Sequence, residues 1–389
     1  MKKTKTNDSS IQRIRELLKK HPLIDGHNDT PWRFRREHQN NLDAVDFSKD
    51  TRQVNPLMKT DIPRLRSGGV GGQFWSVFVP DKWANQGAAK SVREQIALVH
   101  QLAKKYPQHL EMAFSSDDVK RIHASGKIAC LIGLEGGHSI DGSPDVLREF
   151  YKSGARYMTL ACAESSDLAD SATGKRLHGG LSSLGKNIIE EMNRIGMMID
   201  LSHCSDETMK HALDLSKAPV IFSHSCVRSL CPSPRNVPDD ILRKLAQSRG
   251  VIMITFVPMF LNNKAWEHHE RYHAKWKEMK KQFPDDQEQV KQELKKWEQE
   301  HPFPPAFLSE VADHIDHAKK VTGIDCLGIG SDFGGFRNTP RGLEDVSQYP
   351  ALLAELASRG YSDEDIIKIA GANILRVMRD VEEIAGNHS

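Results

Sequence analysis

Met197-Met-Ile-Asp-Leu-Ser-His203, a helical stretch over 206–215, and Pro219-Val-Ile-Phe-Ser-His224 together decide the fold. Two short apolar, β-branched runs flank a segment of helical period, and each run ends in a histidine. Strands separated by a helix pair in parallel, since a tight hairpin joins only antiparallel neighbours. Near-continuous apolar runs also mark strands that are buried on both faces. Outward from this unit the same order recurs. Candidate strands lie at 22–26, 73–79, 128–134, 156–161, 197–201, 219–222, 251–255 and 326–330. Helical periodicity fills most of the gaps, as at 92–106, 143–153, 184–195 and 239–248. Eight such strands predict a closed parallel (β/α)8 barrel of the TIM type. A doubly wound open sheet is the competing architecture. No GxGxxG follows the first strand, which counts against its dinucleotide-binding form.

The chain of 389 residues, 38% hydrophobic and 27% charged, suits one such domain spanning 1–389. A short amphipathic helix at 11–20 precedes the first strand. The segment 264–301 breaks the rhythm. It is densely charged, with Trp266, Tyr272, Trp276, Met279, Phe283, Leu294 and Trp297 at near-helical spacing. It reads as a helical hairpin inserted before the last strand, laying an aromatic stripe on the barrel, with a lid or a dimer contact as alternatives. Closing helices are expected over 346–384, one of them capped by Ser362.

A net charge of +2 gives no electrostatic reason to expect nucleic acid or an anionic membrane as partner. No run approaches the roughly 18 apolar residues of a membrane span. The six cysteines are scattered, form no CxxC pair and read as reduced, buried thiols. The start is basic without a following apolar run. A cytoplasmic protein is therefore expected, although a leader trimmed from the sequence would leave no trace.

Five candidate strands end in residues able to bind metal or move protons: His27 and Asp29 after the first, Glu135 after the third, His203 after the fifth, His224 after the sixth and Asp332 after the eighth. A lone strand-end histidine is usually structural, and a lone aspartate before a helix is usually an N-cap. A parallel barrel changes those odds, because it gathers all these ends on one face. His27 and Asp29, two apart on extended backbone, point the same way and can hold one ion. His203 and His224 can hold a second, and Glu135 can bridge the two. Imidazole and carboxylate donors suit two divalent ions, Zn²⁺ foremost. Such a pair would lower the pKa of a shared water and polarise a carbonyl. Asp332 would take the water's proton and pass it to the leaving nitrogen. Gly133, Gly136, Gly137, Gly334 and Gly335 surround these residues, as close backbone approach or ordinary turns would require.

At these residues the chain resembles the membrane dipeptidase (renal dipeptidase) family of zinc hydrolases, within the amidohydrolase-like barrels. The resemblance is carried by Asp25-Gly-His-Asn-Asp29 with Pro31-Trp32, Thr60-Asp-Ile-Pro-Arg-Leu-Arg66, Gly71-Gly-Gln-Phe-Trp-Ser-Val77, Gly133-Leu-Glu-Gly-Gly137 and Ile199-Asp-Leu-Ser-His203. It continues through Val220-Ile-Phe-Ser-His-Ser225, Pro234-Arg-Asn-Val-Pro-Asp-Asp240, Gly330-Ser-Asp-Phe333 and Gly342-Leu-Glu-Asp-Val346. It implies that His27, Asp29 and Glu135 bind one zinc, and that Glu135, His203 and His224 bind the other. By the same pattern Asp332 is the acid/base, Arg235 binds the substrate's terminal carboxylate, and Trp32 lines the pocket. The implied reaction is hydrolysis of a dipeptide or similar small amide, often with tolerance for a D-residue at the C-terminal side. A homodimer is also implied.

One departure stands out. Where the family reads Arg-Tyr-x-Thr-Leu-Thr-His, this chain reads Arg156-Tyr-Met-Thr-Leu-Ala-Cys162. The family's histidine contacts the substrate carbonyl, and losing such a donor costs roughly 3–4 kcal/mol of transition-state stabilisation. Cys162 is left as a substrate contact, a packing residue or a nucleophile, and His178 is a candidate to swing in. Gly334 also stands where the family often has Asp. The alternative function is a weakened member that keeps its metals and binds a small ligand or partner.

Overall fold

The computed structural model describes residues 2–55, 57–84 and 86–386, with side chains from Ser9 onward. Nine strands form one parallel sheet: β1 Leu23–Asn28, β2 Val70–Phe78, β3 Leu110–Met112, β4 Ile128–Glu135, β5 Ala155–Thr159, β6 Met198–Asp200, β7 Ile221–Ser225, β8 Val251–Ile254 and β9 Leu327–Ile329. Their order is β2-β1-β9-β8-β7-β6-β5-β4, and β2 pairs again with β4 from Gly72↔Ala129 to Phe78↔Glu135. That pairing closes an eight-stranded (β/α)8 barrel. β3 is the addition, a three-residue strand that pairs with the start of β4 outside the ring. With a glutamate at its centre it carries too short an apolar run to stand out in the sequence.

Every residue of β1, β4, β5, β6, β7, β8 and β9 is buried, as strands covered by helices require. Inside the barrel, the Tyr157 ring fills the space left by Gly133, where a Cβ would lie 1.9 Å from the ring. This lets the Tyr157 hydroxyl reach β1. The helix Asp206–Leu215 starts where the Ser205 hydroxyl accepts from the Thr208 amide. That cap ends the turn carrying His203.

The insertion is a helical hairpin, Asn263–Gln282 and Gln287–Glu300, before the last strand. Met279, Val290 and Leu294 form a small core of its own, joined by Tyr272, Trp276 and Phe283. The His268 ring bonds the His301 carbonyl at 2.8 Å and ties the hairpin's ends together. The short helix Pro258–Leu261 at its base belongs to the barrel mouth. After Ser362, which caps Asp363–Ile367, one π-helical turn at Lys368–Ala372 sets Gly371 against the Pro22 carbonyl, and Asn373–Gly386 follows. Among the described residues no helix is long and apolar enough to cross a membrane.

Candidate metal centre and substrate cavity

The barrel brings His27, Asp29, Glu135, His203, His224 and Asp332 to one mouth. Glu135 is the last residue of β4, and its two oxygens face opposite ways. Oε2 lies 3.3 Å from His27 Nε2 and accepts from Ser76 Oγ at 2.9 Å. Oε1 lies 3.1 Å from His203 Nε2 and 4.0 Å from His224 Nε2. On the first side Asp29 Oδ1 is 3.8 Å from His27 Nε2. Asp29 occupies the N-cap position of Thr30–His38, yet its side chain caps no amide. The carboxylate is turned to the site instead. On the second side, the Nε2 atoms of His203 and His224 face each other at 2.9 Å. Donors bound at about 2.0–2.1 Å around a tetrahedral Zn²⁺ stand about 3.3 Å apart. The separations of 3.3 and 3.8 Å on the first side and of 2.9, 3.1 and 4.0 Å on the second bracket that spacing.

Hydrogen bonds behind the rings fix which nitrogen is bare. Tyr157 Oη donates to the Gly26 carbonyl at 3.0 Å, so the 3.0 Å contact with His27 Nδ1 has the imidazole as donor. In the neutral ring His27 Nε2 therefore carries the lone pair, and though buried it has no hydrogen-bond partner. His224 Nδ1 lies 2.8 Å from Ser223 Oγ, which itself donates to Asp200 at 2.5 Å. His224 Nε2 is therefore bare as well. Metal-ligating histidines are held this way, with the second nitrogen spent on an orienting acceptor.

Two buried carboxylates stand behind these residues. Asp25 accepts from the His27 and Ser331 amides at 3.2 and 2.8 Å and from the hydroxyls of Ser331 and Tyr349 at 2.7 Å each. Asp200 accepts from the Ser202 and Ser223 amides at 3.0 and 2.8 Å and from Thr159 and Ser223 hydroxyls at 2.5 Å each. An unpaired buried carboxylate would cost several kcal/mol. Hydrogen bonds to a charged group return roughly 1.5–3 kcal/mol each, so the four lock the surrounding loops and offset part of that cost; at Asp25 burial still outweighs them and raises its pKa above the usual carboxylate value. Sequence reasoning gave Asp25, Asp200, Tyr157 and Ser223 no role. The signal was present: each aspartate interrupts an apolar strand two or three residues before a histidine.

Electrostatics differ across the centre. Burial alone would depress the His27 pKa, but Glu135 and Asp29 outweigh it and push it up to about 9. A positive charge is thus favoured at that spot. Burial and nearby Arg235 push His203 down to about 4, and burial beside His27 and His203 holds His224 well below its usual value. Burial also tends to raise Glu135, but His27 and His203 hold it well below the carboxylate range. Burial, with Glu135 and Asp332 adding to it, lifts Asp29 well above that range. Burial lifts Asp332 to about 7. Asp332 follows β9 with φ +66°, and His203 has φ +67°. Both non-glycine residues hold the left-handed conformation, at a cost of order 1–3 kcal/mol each. The Asp332 amide donates to the His27 carbonyl at 3.0 Å, tying the acid to β1. Gly335 packs beside it, where a Cβ would lie 2.4 Å from Asp332 Oδ1 and 2.6 Å from Asp29 Oδ2.

Beside this cluster opens a cavity of about 290 Å³ lined by Trp32, Phe78, Cys162, Arg235, Phe260 and Phe336, together with the acids. Half-buried Trp32 meets Phe78 edge-on at 5.0 Å. The Arg235 guanidinium is buried over the Phe260 ring, donates to the His224 carbonyl at 3.3 Å and leaves Nη1 without a partner. A ligand carboxylate would complete it. The Cys162 thiol lies 3.7 Å from Glu135 Oε1, at the centre rather than in the packing around it. Burial, Glu135 and Asp81 raise its pKa well above the usual thiol value, which disfavours a nucleophilic thiolate. His178 does not swing in. Its Nε2 bonds the Ser166 carbonyl at 3.0 Å.

The family model described as Membrane dipeptidase (Peptidase family M19) matches residues 11–389. The chain is 41% identical over 384 residues to Dipeptidase 3 of Rattus norvegicus, covering 96% of this chain and 69% of that one. It is 40% identical over 389 residues to Dipeptidase verJ of Clonostachys rogersoniana, covering 97% and 89%. Among solved structures, the probable dipeptidase PvdM from Pseudomonas aeruginosa superposes with a TM-score of 0.84 at 26% identity, covering 97% of this chain and all of that one.

Proposed function

This chain belongs to the membrane dipeptidase family, Peptidase family M19, and we propose that it carries out metal-dependent dipeptide hydrolysis with two divalent ions, Zn²⁺ by donor type, held on either side of Glu135. The observation that carries this reading is the divided carboxylate. One Glu135 oxygen faces His27, whose Nε2 also lies 3.8 Å from Asp29 Oδ1, and the other faces His203 and His224. His27, Asp29 and Glu135 would hold one ion, and Glu135, His203 and His224 the other. The ions supply Lewis acidity, activating water and polarising the scissile carbonyl.

The chain's own residues divide the remaining work. Arg235 receives the substrate's terminal carboxylate on its unpartnered Nη1, and its burial strengthens the contact. Trp32 and Phe78 wall the cavity and keep water from the scissile bond. Asp332, buried beside the centre, accepts a proton from the attacking water and returns it to the departing nitrogen. Neither the relatives nor the fold favours a member that only binds.

Zinc-loaded protein should cleave an unmodified dipeptide. Asp332→Asn should keep the ions and lose roughly 10²–10⁴ in kcat. Amidating the dipeptide's C-terminus should raise KM in the wild type but not in Arg235→Met. Wild-type protein that carries the ions yet cleaves no member of a dipeptide panel would overturn the proposal.

A further inference from the structure

We infer that Cys162 is itself a ligand, its sulfur joining Glu135 Oε1, His203 Nε2 and His224 Nε2 around the ion on that side. The inference rests on the two-ion reading above. Glu135, Cys162 and His203 each present a donor atom within 4.8 Å of the others, and all three cluster at the barrel mouth. A tetrahedral ion with bonds of about 2.3 Å to sulfur and 2.0 Å to oxygen sets those two atoms about 3.5 Å apart. Cys162 Sγ and Glu135 Oε1 are 3.7 Å apart. The side chain is buried at 3% exposure, so no solvent competes for the sulfur. The loop is built to hold it there. Gly136, at φ +102°, lies against Cys162, where a Cβ would stand 3.3 Å from the cysteine's own Cβ.

The neighbouring thiols are otherwise engaged. Cys226 donates to the Thr255 carbonyl at 3.3 Å, and Cys231 to the Met259 carbonyl at 3.5 Å. On binding, the divalent ion displaces the Cys162 thiol proton to solvent and forms a sulfur–metal bond, with no change of oxidation state. The two sides of the centre then differ in kind. With His224, whose Nε2 lies 2.9 Å from His203 Nε2, the group Glu135, Cys162 and His203 would supply four protein donors, the pattern of a closed site. His27, Asp29 and Glu135 supply three, which leaves an open position on the side where Asp332 stands within reach of His27 and Asp29. Chemistry falls to the open side. The sulfur makes the other side softer, favouring Zn²⁺ over Mn²⁺ or Mg²⁺.

X-ray absorption at the zinc edge tests this on the intact protein loaded with zinc alone. The wild type should show sulfur scattering at about 2.3 Å, at about one sulfur per two ions. Cys162→Ser should lose that shell while retaining both ions by metal analysis. Cobalt-loaded wild type should show a sulfur-to-cobalt charge-transfer band that Cys162→Ser lacks. Bound ions with no sulfur shell would overturn the inference and leave the two-ion reading standing. A sulfur shell that persists in the variant would overturn it too, since another thiol would be the ligand. Protein that binds no ion would overturn both. Should the variant fail to fold, the wild-type spectrum decides, because among the described residues Cys162 is the only cysteine grouped with these donors.

Discussion

On the β1 side of Glu135, His27 is oriented through the Tyr157 hydroxyl to a neutral backbone carbonyl. On the β6–β7 side, His224 is oriented through the Ser223 hydroxyl to a buried carboxylate, Asp200. The first side gathers acids, Asp29 and Asp332, and there Glu135 and Asp29 outweigh burial and raise His27 to about 9. The second gathers histidines beneath Arg235, and they stay neutral, His203 down to about 4. The barrel thus uses one device twice, a strand-end imidazole fixed by a relay behind it, and tunes the two copies oppositely. On the proposed two-ion reading, the second side would bind its ion at neutral pH without losing a proton, and the first would exchange a proton for its ion.

Glu135→Gln tests whether the halves are joined. It should weaken both sides and lower activity by at least ~10³-fold, since it removes the charge each side shares. Metal analysis that shows one ion fully retained would break the symmetry drawn here. Ser223→Ala should come next, weakening the ion on its side by roughly 10- to 100-fold, as loss of an orienting partner does. Tyr157→Phe should cost less on the other side, because its relay ends on an uncharged carbonyl. Equal losses in titrations with a single metal would remove the distinction between charged and neutral relays.

The smallest effect concerns pH. Raising pH through the range below about 9 should tighten binding on the His27 side, by up to about tenfold per unit as the competing proton leaves. The His203 side should stay flat until the acid range, near about 4. The metal-free protein gives the opposite sign for stability. The His27 charge stabilises fully below its ordinary value of about 6.5, and that contribution is lost as pH rises through about 9. Asp332 behaves alike, losing its contribution between about 4 and about 7, so Asp332→Asn should flatten that stretch of a melting-temperature profile. A profile unchanged by the substitution would place the acid outside the buried cluster.

The residues that gather at the mouth were legible in the sequence because each is local: a histidine or acid shortly after an apolar strand. Their supports were less so. Ser76, Tyr157, Thr159 and Ser223 are ordinary strand residues until the barrel closes and sets Tyr157 against β1 and Ser223 beside Asp200. The short β3 escaped because three residues carry no period. Cys162 was visible as a departure from the family's pattern, but its 3.7 Å approach to Glu135 depends on how the loop after β5 turns back past Gly136.

By itself, then, the sequence determined a parallel barrel with a metal-binding mouth, because strand periodicity and strand-end chemistry are written along the chain. Only the tertiary structure decided which oxygen of Glu135 serves which side, which imidazole nitrogen is bare and where the thiol lies. Those follow from distances between strands remote in sequence, and closure of the ring sets them.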